Sequence, residues 1–113
     1  MKFSSSLKLN HIFRRLYSTS GHANAYLVLY ARKNRTDANR VGITVGKKLG
    51  HAVVRNRCRR RLREVYRLNN GKLFQGYDII LVARTRTATA SWKELNDTFM
   101  KLSRKLELLE DKP

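Results

Sequence analysis

The sequence has one cysteine, Cys58, and one proline, Pro113. A lone cysteine excludes an internal disulfide and the cysteine clusters of structural zinc sites. It fits a reducing, cytoplasmic setting. No Pro- or Gly-rich linker and no internal repeat breaks the 113 residues. One domain over residues 1–113 is therefore expected, with 1–6 and 110–113 fraying. The longest apolar run, residues 25–31, is far short of the roughly 20 residues that a helical membrane span needs. A helical span is excluded on that ground, and no membrane is expected among the partners. Acids are the scarcest class: 8 Asp and Glu stand against 25 Lys and Arg, and the first is Asp37. Carboxylates are too few and too scattered for the two-metal cluster of a nuclease acting alone. The three histidines, His11, His22 and His51, share no metal-ligand spacing. No Gly-rich phosphate loop is present.

The net charge is +17, while apolar residues make up 42% of the chain. That apolar share is normal for a globular protein and above what a disordered polycation carries. So much like charge repels itself unless a polyanion neutralises it, which points to nucleic acid or, second, to an anionic membrane surface. The acid-free, Ser- and basic-rich stretch over 1–20 also reads as a mitochondrial transit peptide. A secretory signal is excluded, because no apolar stretch follows Lys2.

Periodicity predicts a mixed α+β domain. Residues 7–17 form an amphipathic helix, with Leu7, Leu9, Ile12, Phe13, Leu16 and Tyr17 on its apolar side. Strands are predicted over 26–32, 41–45 and 77–84. In the first of these, Tyr26, Val28, Tyr30 and Arg32 share one face, and Leu27, Leu29 and Ala31 share the other. A helix follows over 54–68, stopped by Asn69-Asn70-Gly71. A last helix spans 92–109, capped by Ser91 or Thr89, with Trp92, Leu95, Phe99, Leu102, Leu106 and Leu109 at helical spacing.

The charge is concentrated in one of these elements. Between Lys47 and Arg67 stand nine basic residues and one acid, Glu64, whereas residues 92–113 carry five of each sign. A face kept merely soluble would mix signs to avoid repulsion at i,i+4. At about 100° per residue, Val54, Cys58, Leu62, Val65 and Tyr66 form a core stripe, leaving Cys58 as a small hydrophobe. Asn56, Arg59, Arg60, Arg63 and Arg67 lie opposite, Arg57 and Glu64 share a flank, and Arg60 can pair with Glu64. Arginine matters here because its planar fork grips phosphate bidentately and stacks on bases. Lys47, Lys48 and Gly50 lead into the helix N-terminus, whose unpaired N–H groups suit a phosphate.

The run Val41-Gly42-Ile43-Thr44-Val45-Gly46-Lys47-Lys48-Leu49-Gly50-His51-Ala52, continuing Val53-Val54-Arg55-Asn56-Arg57-Cys58-Arg59-Arg60-Arg61-Leu62-Arg63-Glu64, resembles the bacterial ribonuclease P protein family. The resemblance extends from about Leu7 to Leu106 and includes the Phe13…Tyr17 segment and Tyr77-Asp78-Ile79-Ile80. It implies a two-layer, ribosomal protein S5 domain 2-like fold, with a four-stranded sheet packed with three helices. The implied order is helix, three strands, helix, strand, helix, with a left-handed βαβ crossover and a short first strand near 22–24.

The resemblance further implies a non-catalytic, RNA-binding subunit of a ribonucleoprotein endoribonuclease, which hydrolytically removes the 5′ leader of precursor tRNA. The catalytic component is then an RNA, with Mg2+ held mainly by RNA and substrate and one protein per RNA. Lys47, Lys48, Arg55, Asn56, Arg57, Arg59, Arg60, Arg63 and, on the same face, Arg67 would meet the RNA subunit. Phe13, Tyr17, Val28 and Tyr30, with Arg32 beside them, would receive the single-stranded leader. Stacking on aromatics suits that task, although Phe13 could equally be a core residue. His51 departs from the family's usual asparagine, and Cys58 from its usual branched aliphatic. Without the resemblance, the charge alone would also admit a ribosomal-type RNA binder or a DNA-binding helix, although no base-reading Asn or Gln set is evident for the latter.

Overall fold

Residues 77–83 read Tyr-Asp-Ile-Ile-Leu-Val-Ala, a nearly unbroken apolar run, and such a run suits a strand covered on both faces. In the computed structural model it is the central strand. The structure describes residues 5–6 and 21–110. The expected helix over 7–17, with Phe13 and Tyr17, lies outside the described residues.

The strands are β1 (Ser5–Ser6), β2 (His22–Ala23), β3 (Leu27–Lys33), β4 (Arg40–Thr44) and β5 (Tyr77–Ala83), in the sheet order β1-β4-β5-β3-β2. The four expected strands are present as β2–β5. Ser5–Ser6, within the terminus expected to fray, add a short parallel pairing to Arg40–Val41. The two helices among the described residues are α1 (Ala52–Asn69) and α2 (Trp92–Lys105). β4 and β5 are parallel neighbours joined through α1, so the crossover unit is β4–α1–β5. β3 runs antiparallel to β5, with Leu29 opposite Leu81 and Tyr30 opposite Ile80.

Strand alternation assigns the two faces. Leu27, Leu29, Ile79 and Leu81 share a core with Leu62, Val65 and Tyr66 of α1 and Leu95, Phe99 and Leu102 of α2. Tyr66 and Phe99 meet edge to face, with ring centroids 6.5 Å apart. Tyr26 does not share the face of Val28 as expected. It precedes β3 and packs on the helix-side core, where its hydroxyl donates to Glu94 Oε2 (2.6 Å). That bond raises the Tyr26 pKa and, with Ser91, holds Glu94 below the usual carboxylate range.

α1 is longer at both ends than the predicted 54–68, because nothing between Ala52 and Asn69 breaks a helix. Its last residues are more than a stop signal. Asn69 donates to Val65 O and Asn96 Oδ1, and Asn70 Oδ1 accepts from Tyr66 and the fully buried Asn39.

α2 begins as expected at Ser91, which forms a reciprocal capping box with Glu94. It ends earlier than predicted, at Lys105. Leu108 N donates to Ser103 O (2.9 Å) and Glu107 N to Arg104 O (3.0 Å), with Glu107 at φ 59. These two bonds are a Schellman stop with a glutamate where glycine is usual. The chain then turns back, and Leu109 bridges to Leu73. Trp92, counted among the apolar helix positions, is instead exposed.

Candidate nucleic-acid interface

The approach to α1 is built to leave cations uncovered. A 3-10 turn over Lys47–Leu49 follows β4, and both Lys47 and Lys48 are exposed. Gly50 has φ 132, a conformation that side chains rarely adopt, and a Cβ there would meet Val54 at 3.2 Å. His51 occupies the N-cap position without making a side-chain cap, and the first turn of α1 holds no acid. The helix thus presents uncapped N–H groups and its positive dipole end beside two lysines.

Along α1 the buried residues are Cys58, Leu62, Val65, Tyr66 and Asn69, with Val54 half-buried. Burial pushes the Cys58 thiol pKa up, as suits a core residue. Asn56, Arg57, Arg60, Arg63 and Arg67 are exposed, whereas Arg55 and Arg59 are half-buried on a flank. The expected Arg60–Glu64 pair does not form. Glu64 is taken by Arg67 instead, one turn further along, and that contact lowers the Glu64 pKa. Among the described residues Arg57, Arg60 and Arg63 have no ion-pair partner. Arg59 Nη1 donates to Asn56 Oδ1 (2.9 Å), which orients both side chains along the helix surface.

Arg61 behaves differently from its neighbours. It donates to Ala88 O (2.8 Å) and to Ala90 O, fastening α1 to the segment that leads into α2. Its partial burial lowers its pKa. One arginine of the run is therefore a fold residue, consistent with its absence from the arginine face and from the RNA-contact set expected from the sequence.

The second predicted surface lies on the other face of the sheet. Val28 and Tyr30 are half-buried there, and Arg32 is exposed. Opposite them in register stand Val82, Ile80 and Asp78 of β5. Gly42 of β4 pairs with Ile80 and is buried, and a glycine inside a strand marks a close approach. Gly21 packs on the Tyr30 ring, since a Cβ there would fall 2.6 Å from it. Asp78 is 7% exposed and accepts hydrogen bonds from Arg40 Nε and Nη2, at 2.7 and 2.8 Å. Phe13 and Tyr17 lie outside the described residues. The arginine face and the Tyr30 face consequently look in opposite directions, with the sheet and the core between them.

The ribonuclease P family model matches residues 1–107. The ribonuclease P protein component of Natranaerobius thermophilus is 45% identical over 106 residues, covering 93% of this chain and 92% of its own. That of Alkaliphilus oremlandii is 44% identical over 110 residues, with 96% of each chain covered. The chain belongs to the ribonuclease P protein family. It is the protein subunit of an endoribonuclease that acts in tRNA maturation. Solved ribonuclease P proteins share the architecture. The Staphylococcus aureus protein superposes with a TM-score of 0.82 at 28% identity, covering 96% of this chain and 100% of that one. The Thermotoga maritima protein gives 0.78 at 29% identity, with 88% and 96% covered.

Proposed function

We propose that this subunit, which works with the RNA subunit of ribonuclease P in tRNA 5′ processing, divides its two RNA contacts between opposite faces. Lys47, Lys48, Arg55, Asn56, Arg57, Arg59, Arg60, Arg63 and Arg67 dock on the catalytic RNA. Val28, Tyr30 and Arg32, with Phe13 and Tyr17, hold the single-stranded leader of precursor tRNA. The observation that carries this reading is the set of exposed arginines Arg57, Arg60 and Arg63. Among the described residues they have no acidic partner, and the helix that carries them is buried on its other side.

Magnesium belongs on the RNA and substrate in this reading. Among the described residues no three His, Cys, Asp or Glu side chains gather to hold a metal, and Asp78 is engaged by Arg40 and Asn34. What this chain's own residues do is bind and orient RNA. A third helix from the N-terminal segment, the left-handed crossover, one protein per RNA and a cytoplasmic location complete the proposal. Among the described residues no helix is long and apolar enough to cross a membrane.

The test is leader removal from precursor tRNA at low magnesium by a bacterial ribonuclease P RNA, with and without the protein. Stimulation is expected. No stimulation, or cleavage by the protein alone, overturns the proposal.

A further inference from the structure

An open cleft of about 330 Å³ lies where β3 ends and β5 begins, lined among others by Lys33, Arg35, Thr36, Phe74, Gly76 and Tyr77. None of the lining residues is acidic, and among the described residues neither Lys33 nor Arg35 forms an ion pair. An exposed phenylalanine alone means little. This one is 45% exposed although its backbone is held at both ends: Phe74 N donates to Leu108 O (2.7 Å), and Asn39 Nδ2 donates to Phe74 O (3.0 Å). The ring is therefore presented to solvent by a fixed backbone.

The opposite wall is equally well held. Asn34 N donates to Gly76 O (2.9 Å), Asn34 Nδ2 to Ala38 O and Asp78 Oδ1, and Asn34 Oδ1 accepts from Thr36 N and Oγ1. Thr36 O sits so close to Gly76 that a Cβ there would lie 2.7 Å from it. On this turn Arg35 is kept at φ 63, a conformation unusual for a residue other than glycine. A fixed aromatic plate sharing a cleft with two cations that form no ion pair among the described residues is an arrangement that stacks a base and holds its phosphate.

Topology selects which RNA. Lys47, Lys48 and Arg55 lie where β4 ends and α1 begins, and α1 then runs back to β5, so Asn70 meets Asn39 near Phe74. The cleft is thus at the far end of the sheet from the start of the arginine helix. It adjoins Lys33, the residue after Arg32 on the strand that carries Val28 and Tyr30.

We infer that this cleft binds an unpaired nucleotide of the precursor tRNA leader, 5′ of those on the Tyr30 face. The inference rests on the leader reading above. To test it, the full chain is assembled with the RNA subunit, and affinities are measured for precursor tRNAs with leaders lengthened one nucleotide at a time, beside mature tRNA. The wild type is expected to gain affinity in two stages. Phe74→Ala removes the second stage only, a loss of about fivefold or more for long leaders, the low end of one stacked base. Lys33→Ala with Arg35→Asn, where asparagine tolerates the positive φ, weakens the same stage and carries the test if Phe74→Ala fails to fold.

Survival of the second stage in the variants overturns the inference. So does its absence from the wild type, or an equal loss on every substrate, which would place Phe74 in the fold or against the RNA subunit. Failure of the leader reading looks different. Tyr30→Ala would then leave the first stage intact, while the response of the second stage to Phe74→Ala still decides the cleft.

Discussion

Arg40 reaches Asp78 with two nitrogens, and Asn34 adds a third donor at 3.1 Å. A carboxylate buried in a strand is tolerable only when its lone pairs are occupied in this way. Removing the cation strands the charge, which typically costs about 3–5 kcal/mol when both partners are buried. The Arg40 side chain is 32% exposed, so water takes part of its place. Arg40→Ala should therefore cost about 2–3 kcal/mol, read as a lower urea midpoint with an unchanged slope. Arg40→Lys should recover only part of the loss, because lysine cannot make the two-pronged contact. A loss below about 0.5 kcal/mol would mean that the pair behaves like an exposed one. Glu107 is a second residue at which local chemistry and fold disagree. Its left-handed backbone is held by the two bonds that stop α2. Glu107→Gly should raise stability by about 1 kcal/mol, since glycine takes that conformation without strain. A lower melting temperature would refute that account.

At the scale of elements, α1 carries two kinds of arginine. Arg59→Ala with Arg63→Ala should weaken binding to the RNA subunit and reduce the slope of log affinity against log salt by roughly one to two units. Arg61→Ala should leave that slope unchanged while lowering the melting temperature, because its two carbonyl contacts hold α1 to the segment before α2. Equal salt slopes for wild type and the double variant would reduce the arginine face to a solvated surface. The N-terminus of α1 shows the same division between stability and binding. His51 supplies no cap, and an N-capping side chain is worth about 1 kcal/mol. His51→Asp should stabilise the free protein by about that much. It should also weaken RNA binding, by adding a negative charge beside Lys47, Lys48 and the helix dipole. Tighter RNA binding by this variant would show that no phosphate sits there.

At the scale of the whole molecule, the two helices among the described residues cover one face of the sheet and the Tyr30 face looks the other way. A protein built like this can touch two RNAs at once without either displacing the other. Tyr30→Ala should weaken binding of precursor tRNA several-fold more than binding of mature tRNA, as stacking one base contributes roughly 1–3 kcal/mol. Equal losses would make Tyr30 a core residue.

Much of this arrangement was legible in the residues. Val54, Cys58, Leu62, Val65 and Tyr66 fall on one side of a helix by spacing alone, and alternation in 26–32 separated Leu27 and Leu29 from Val28 and Tyr30. Both patterns depend only on backbone periods of 3.6 and 2, which hold wherever the element ends up. The misplaced features are those that depend on which partner a side chain meets. Glu64 chose Arg67 over Arg60, Arg61 turned to the carbonyls of residues 88 and 90, and Asp78 met Arg40 from another strand. Residues 106–109 kept a helical pattern, yet the chain turned at Glu107 so that Leu108 could be buried and Leu109 bridge to Leu73. Sequence by itself determined the charge, the amphipathic elements and the resemblance to ribonuclease P proteins, because these are local or compositional. Only the tertiary structure decided which cations remain free and that a basic, aromatic cleft stands between Lys33 and Phe74. The Arg40–Asp78 pair and the cleft join side chains far apart in sequence, and no period along the chain encodes them.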